Sequence, residues 1–383
     1  MASPPPLSDV FVLDFSKFLP GPYCTWILGD LGAEIVRVEH PRELAKQAQV
    51  FGTAGQSADA NRVRRARDIF ARNKKSVLLD PGDPASRPLL EALVRRADVL
   101  VEDYRPGVMD KMGLGYAALA AINPRLIYCS VTLCGQTGPY RDKPGHDPIA
   151  LSIAGALSRV GENAAAPSFP GVPVADLLTG SNAVIGVLAA LHARHATGRG
   201  QQVDIAMSDA SMALIASIVS RNPDLDRLAP RGQRRVDTGL WLCADGRYVC
   251  TTDMEPRYWA TFCEVVGRPD FQPLQLDAGR REEVIAALEQ IFLTRSVAQW
   301  MALFDAAGTQ AMPVHEPAEA MHDPHNAARG MTPVYEAPDG TPVQHIGAPI
   351  KLSDTPTAFR HLGRLPGEDD AAVREAMGIK TGV

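Results

Sequence analysis

The chain has little that would tie it to an oxidising compartment, a membrane or a nucleic acid. Its six cysteines (Cys24, Cys129, Cys134, Cys243, Cys250 and Cys263) are too few in 383 residues for a disulfide framework, and no two show CxxC spacing. No metal site is expected, and a reducing cytoplasm is the expected location. The longest apolar run, residues 183–191, is far short of the roughly 20 residues of a membrane span. No basic residue precedes the first apolar stretch within residues 1–8, so no export leader is expected. The net charge is −5, which argues against a nucleic-acid or anionic-membrane partner and makes any anion site a local one. There is no internal repeat, and Pro4-Pro5-Pro6 is the sole low-complexity stretch.

What is present is core material and alternation. Hydrophobic residues make up 45% and charged residues 22%, enough for a large core in two or three domains. Up to about residue 215, short β-branched runs alternate with helical stretches. Strands are expected at 10–15, 34–39, 76–80, 98–102, 125–131 and 202–206. Helices are expected at 22–33, 87–97, 116–122, 148–160, 176–194 and 208–219. That series predicts a doubly wound, Rossmann-like parallel sheet. A Pro/Gly/Arg-rich segment, 222–238, reads as a linker from this large α/β domain (1–221) to a small α+β domain (239–323). The small domain opens on a hairpin whose turn is Ala244-Asp245-Gly246-Arg247. Residues 324–349 read as a return linker, and 350–383 as a terminal segment packing on the large domain.

Dinucleotide binding is not indicated. No GxGxxG follows the first strand, where the turn reads Leu19-Pro20-Gly21-Pro22. Between Asn61 and Lys75 there are seven basic residues and one acidic, either a solvated helix face or a phosphate clamp. Arg105, just past an expected strand end, is well placed to meet a ligand. His146, Asp147, Asp176 and Glu255 each stand at an expected helix start. Each can be a cap, yet together they supply the imidazole and carboxylates that acid–base chemistry needs.

Six ordered motifs carry a family resemblance. They are Val12-Leu13-Asp14-Phe15-Ser16 with Pro20-Gly21-Pro22-Tyr23-Cys24, residues 31–39, Asn73-Lys74-Lys75-Ser76-Val77, residues 97–102 with Arg105-Pro106-Gly107-Val108, residues 123–128, and Gly135-Gln136-Thr137-Gly138-Pro139-Tyr140. Together they resemble the family III coenzyme A transferases, which include the α-methylacyl-CoA racemases. The resemblance implies an interlocked homodimer and coenzyme A as part of the substrate, with no permanently bound cofactor. It implies catalytic roles for His146, Asp176 and Glu255. With coenzyme A as the ligand, the basic run and the loop after the strand ending at Glu102 make Arg37, Arg72, Lys75 and Arg105, with Asp147, the expected coenzyme A contacts. Gly145-His146-Asp147 and Met254-Glu255-Pro256 look like the racemase branch, whereas Leu177-Leu178-Thr179-Gly180 looks like the transferases. Racemisation of a 2-methylacyl-CoA is therefore the leading expectation. Transfer of CoA between carboxylic acids through an acyl anhydride on Asp176 is the alternative.

Overall fold

The computed structural model describes residues 3–50, 52–161, 166–229 and 231–379; those parts of the expected domains that fall on the remaining residues lie outside it. The chain divides into two compact units. The first holds residues up to Val160, Pro167–Arg227 and the segment from Ala327 onward, and the second is built on Leu228–Asn326.

In the first unit the alternation produces β1 (Phe11–Asp14), α1 (Pro20–Asp30), β2 (Glu34–Glu39), α2 (Pro41–Val50), α3 (Ala58–Arg67), β3 (Lys74–Leu78), α4 (Arg87–Arg96) and β4 (Val99–Glu102). It continues with α5 (Val108–Lys111), α6 (Tyr116–Ile122), β5 (Ile127–Thr132), α7 (Asp147–Ile153), α8 (Val174–Thr197) and β6 (Gln202–Ala206). The six strands form one sheet, order β3-β2-β1-β4-β5-β6, and every neighbouring pair is parallel. Strand side chains alternate between two cores. Val12, Val99, Val101 and Ile127 face α1 and α8, whereas Leu13, Val36, Leu100 and Tyr128 face α4 and α6. The strand order reverses between β1 and β4, and the crevice at that switch point is where such sheets receive ligands. Helix α8 is long and apolar enough to cross a bilayer, but Ala183, Val184, Val187, Ala190 and Leu191 are buried in the core with α1, as in a core helix.

Two expected helices are shorter than their apolar patterns. The one at 148–160 ends at Ile153 because Gly155 takes φ +73, and the one at 208–219 is broken by a 3-10 turn at Ala213–Ile215. Helix α2 has no counterpart in the sequence reading, and α3 only the solvated helix face offered for the basic run from Asn61. The buried face of α3 is Arg65 and Ala66, which gives no apolar period.

The C-terminal segment is more structured than a linker. An antiparallel pair, Val334–Glu336 with Pro342–Gln344, buries Ala337 and Val343 against Ala66 of α3. Further on, Asp369 and Asp370 accept the Ser76 and Leu78 N–H groups at 2.8 and 2.9 Å, covering the outer edge of β3. In the second unit, β7 (Thr238–Leu242), β8 (Tyr248–Thr252) and β9 (Ala311–Pro313) form an antiparallel sheet. It belongs to a core rich in rings, among them Trp241, Trp259, Phe292 and Trp300.

Candidate active site

The crevice at the carboxyl ends of β1, β4 and β5 is a cavity of about 550 Å³. The turn after β1 contributes Lys17 and Phe18, the residues after β4 contribute Asp103, Tyr104 and Arg105, and His146 and Asp176 come from the starts of α7 and α8. A buried network sets the first turn. Asp14, fully buried at the end of β1, accepts from the Ser16 backbone at 2.9 Å, Thr25 Oγ1 at 2.7 Å and Lys74 Nζ at 2.9 Å. A Cβ on Gly21 would stand 2.3 Å from that of Ser16, so only glycine lets α1 begin there. Gly180 does the same for α8, since a Cβ there would meet the Pro20 carbonyl oxygen at 2.7 Å. This close approach packs the first turns of α8 against the β1–α1 turn and holds Asp176 beside it.

His146 is the N-cap residue of α7, makes no side-chain capping bond and is exposed to the cavity. The Phe18 ring meets its imidazole edge-on, with centroids 6.0 Å apart. Asp176 is half-buried, and its carboxyl is pushed up to about 6, first by burial and then by the Asp147 charge, with His146 acting the other way. Asp147, expected among the coenzyme A contacts, turns its carboxylate inward. It is 7% exposed and accepts from the backbone N–H groups of Ala175 at 2.6 Å and Asp176 at 3.1 Å. It thus ties the start of the histidine-bearing helix to the start of the aspartate-bearing one.

The other expected contacts divide. Arg105 is exposed, lines the cavity, and its guanidinium has no partner among the described residues. Arg72 is 2% exposed, pairs with Asp30, donates to the Ile346 carbonyl at 2.6 Å and lies over the Trp26 ring. A phosphate would have to compete with that pair, which ties Arg72 into the fold. Lys75 lines neither this cavity nor the one adjoining it, and pairs with Glu34 at 2.7 Å on β2. Arg37 lines the adjoining cavity and stands 3.8 Å from Glu39. Glu255 belongs to the second unit, before its helix Pro256–Val265, and accepts from Gln310 Nε2 at 3.1 Å.

Several cavity residues escaped the sequence reading. Lys17 lies 3.5 Å from the centre of the Tyr104 ring, and burial pushes its pKa down against the pull of Asp103 and Glu43. Asp103 accepts from the Lys17 and Phe18 backbone at 2.7 and 3.1 Å and so holds the Phe18 ring beside His146. Arg141 and Lys143 add positive charge to the same wall. Lys17, Phe18 and Asp103 directly follow β1 and β4, and that position was the signal available for finding them.

A charged cavity at the switch point of a parallel sheet, with an imidazole and a carboxylate of raised pKa, defines an enzyme of acid–base or acyl-transfer chemistry. The chain belongs to CoA-transferase family III, whose pattern matches residues 7–369. It is 32% identical to the succinate–glutarate CoA-transferase of Agrobacterium fabrum, over 96% of this chain and 95% of that protein. It is 31% identical to human α-methylacyl-CoA racemase, over 97% and 94%. The crystal structure of a CAIB/BAIF family protein from Brucella suis superposes with a TM-score of 0.82 at 28% identity, covering 98% of this chain and 100% of that one. The protein is therefore an enzyme of the CoA-transferase and racemase superfamily.

The unpartnered Arg105 leads to a binding expectation. Losing a charge-assisted bond to phosphate costs about 1.5–3 kcal/mol, so Arg105→Ala should weaken acyl-CoA binding roughly 10- to 150-fold. Calorimetric titration with acetyl-CoA at moderate salt tests it, and unchanged affinity would remove Arg105 from the site.

Proposed function

We propose that the protein racemises the α-carbon of 2-methylacyl-CoA thioesters by two-base proton transfer. One of His146 and Asp176 takes the α-proton, leaving an enolate, and the conjugate acid of the other returns a proton to the opposite face. The observation that carries this reading is that an uncapped imidazole and a carboxyl with a pKa near 6 line one cavity. The Asp147 backbone N–H, at the start of α7 and without a protein acceptor among the described residues, is the donor for the enolate oxygen. Arg105, helped by Lys143 and Arg141, takes the coenzyme A phosphates. The working form is an interlocked homodimer in the cytoplasm. Its support is the exposed apolar residues of the first unit, Phe169, Val172, Ile185, Met212 and Val219, which a lone chain leaves to water.

A second reading is favoured by the several relatives named as CoA-transferases. In it Asp176 attacks a donor acyl-CoA, forming an acyl anhydride and releasing CoA thiolate. The thiolate attacks the aspartyl carbonyl, forming an aspartyl-CoA thioester and freeing the donor acid. An acceptor carboxylate then attacks that thioester to give a second anhydride and thiolate, and the thiolate attacks the acceptor's acyl carbon, yielding the new acyl-CoA and restoring the Asp176 carboxylate. The readings separate in heavy water with a 2-methylacyl-CoA and no acceptor acid. Racemisation washes deuterium into the α-position and erodes enantiomeric excess. No exchange, together with a hydroxylamine-trapped aspartyl thioester formed from a donor acyl-CoA, would establish the transferase.

A further inference from the structure

A second cavity, of about 720 Å³, adjoins the first, and the two have four lining residues in common: Lys17, Phe18, His146 and Asp176. Three of these carry a titratable group. Phe18 is the single apolar side chain at the junction. Its ring is 61% exposed and therefore open to a ligand, but its backbone is tied down. Asp103 accepts the Lys17 and Phe18 N–H groups at 2.7 and 3.1 Å, and the Phe18 ring stands edge-on to the His146 imidazole.

The α-carbon of an enolate is planar. In two-base transfer its faces turn to His146 and Asp176, which leaves three substituents in the plane between them. One is the thioester carbon, leading to coenzyme A, and one is the acyl chain; both are long, and each of the two cavities, about 550 and 720 Å³, can take one of them. The third substituent stays at the junction itself. There it meets the Phe18 ring beside one of the two bases. A methyl group against that ring removes apolar surface from water. A larger branch has to push aside a ring whose backbone is held by Asp103, and overpacking of this kind is unfavourable.

We propose that Phe18 is the specificity-determining residue for the α-substituent, admitting methyl and rejecting ethyl and larger groups. This rests on the two-base reading above and adds what limits its substrates. The test measures deuterium entry at the α-position in heavy water, as kcat/KM, for 2-methylhexanoyl-CoA and 2-ethylhexanoyl-CoA, which have the same chain and differ in the branch alone. The parent should favour the methyl substrate by about 10- to 100-fold. Phe18→Leu should keep part of that preference, and Phe18→Ala should bring the two substrates to near parity. The ratio is what counts, because a ring that only supports His146 would slow both substrates alike when removed. Should Phe18→Ala exchange neither substrate, the ratio in Phe18→Leu decides. Equal rates for both substrates in the parent, or a preference unchanged in the variants, would overturn the proposal and leave the two-base reading standing. If the parent exchanges neither substrate, the two-base reading falls and this proposal with it.

Discussion

Asp176→Asn is expected to lower turnover by about 10²- to 10⁴-fold whichever reaction the enzyme performs, because a base and a nucleophile are lost with the same oxygen atoms. The substitution keeps the shape of the side chain, so α8 and its Asp147 cap should persist. The folded state should not suffer. A carboxyl raised to about 6 in the fold, above its value in the open chain, costs stability as pH rises through that value, and the amide removes this cost. The melting temperature of Asp176→Asn at pH 8 should therefore equal or exceed the parent's, which separates lost chemistry from lost structure. In the parent, activity should rise with pH through about 6 as Asp176 ionises. Asp147→Asn removes the negative charge that helps raise that value, so its acidic limb should move to lower pH. A limb that stays in place would show that burial alone sets it.

His146→Ala divides the two chemistries. If His146 is one of two opposed bases, racemisation and deuterium exchange should fall by about 10²- to 10⁴-fold. The loss should appear in kcat more than in affinity, because His146 shares its cavity with an Arg105 site that remains intact. Chiral analysis of a single-enantiomer 2-methylacyl-CoA after incubation reads the result directly. Racemisation at the parent rate by His146→Ala, together with CoA transfer that disappears in Asp176→Ala, would falsify the two-base reading and make the transferase the activity.

The doubly wound sheet was legible because its signal is local. Strand faces repeat every two residues, so Val12 and Leu13 announce a strand buried on both sides before any partner is known. The crevice at the strand ends follows from topology, which put Arg105 on the candidate roll. His146, Asp147 and Asp176 could be read as helix starts from the residues around them, and the family motifs gave them roles. The 324–349 segment carried no such periodicity, and its hairpin forms because α3 offers Ala66 to Ala337 and Val343.

What the sequence by itself determined was the α/β alternation, the family and the residue types of the site. The use of each charge was decided only by the tertiary structure. Between Asn61 and Lys75 the reading offered a solvated face or a phosphate clamp, whereas most of these cations pair inside the protein with Asp14, Asp30, Glu34 and Glu39, residues drawn from α1 and from strands β1 and β2. Asp147 was likewise a cap in the sequence and proved to serve the next helix, 28 residues away. The reason is the reach of the interaction. Periodicity and capping act within a few residues, but the free energy of a charge depends on whichever opposite charge and however much water the folded chain leaves within about 4 Å of it.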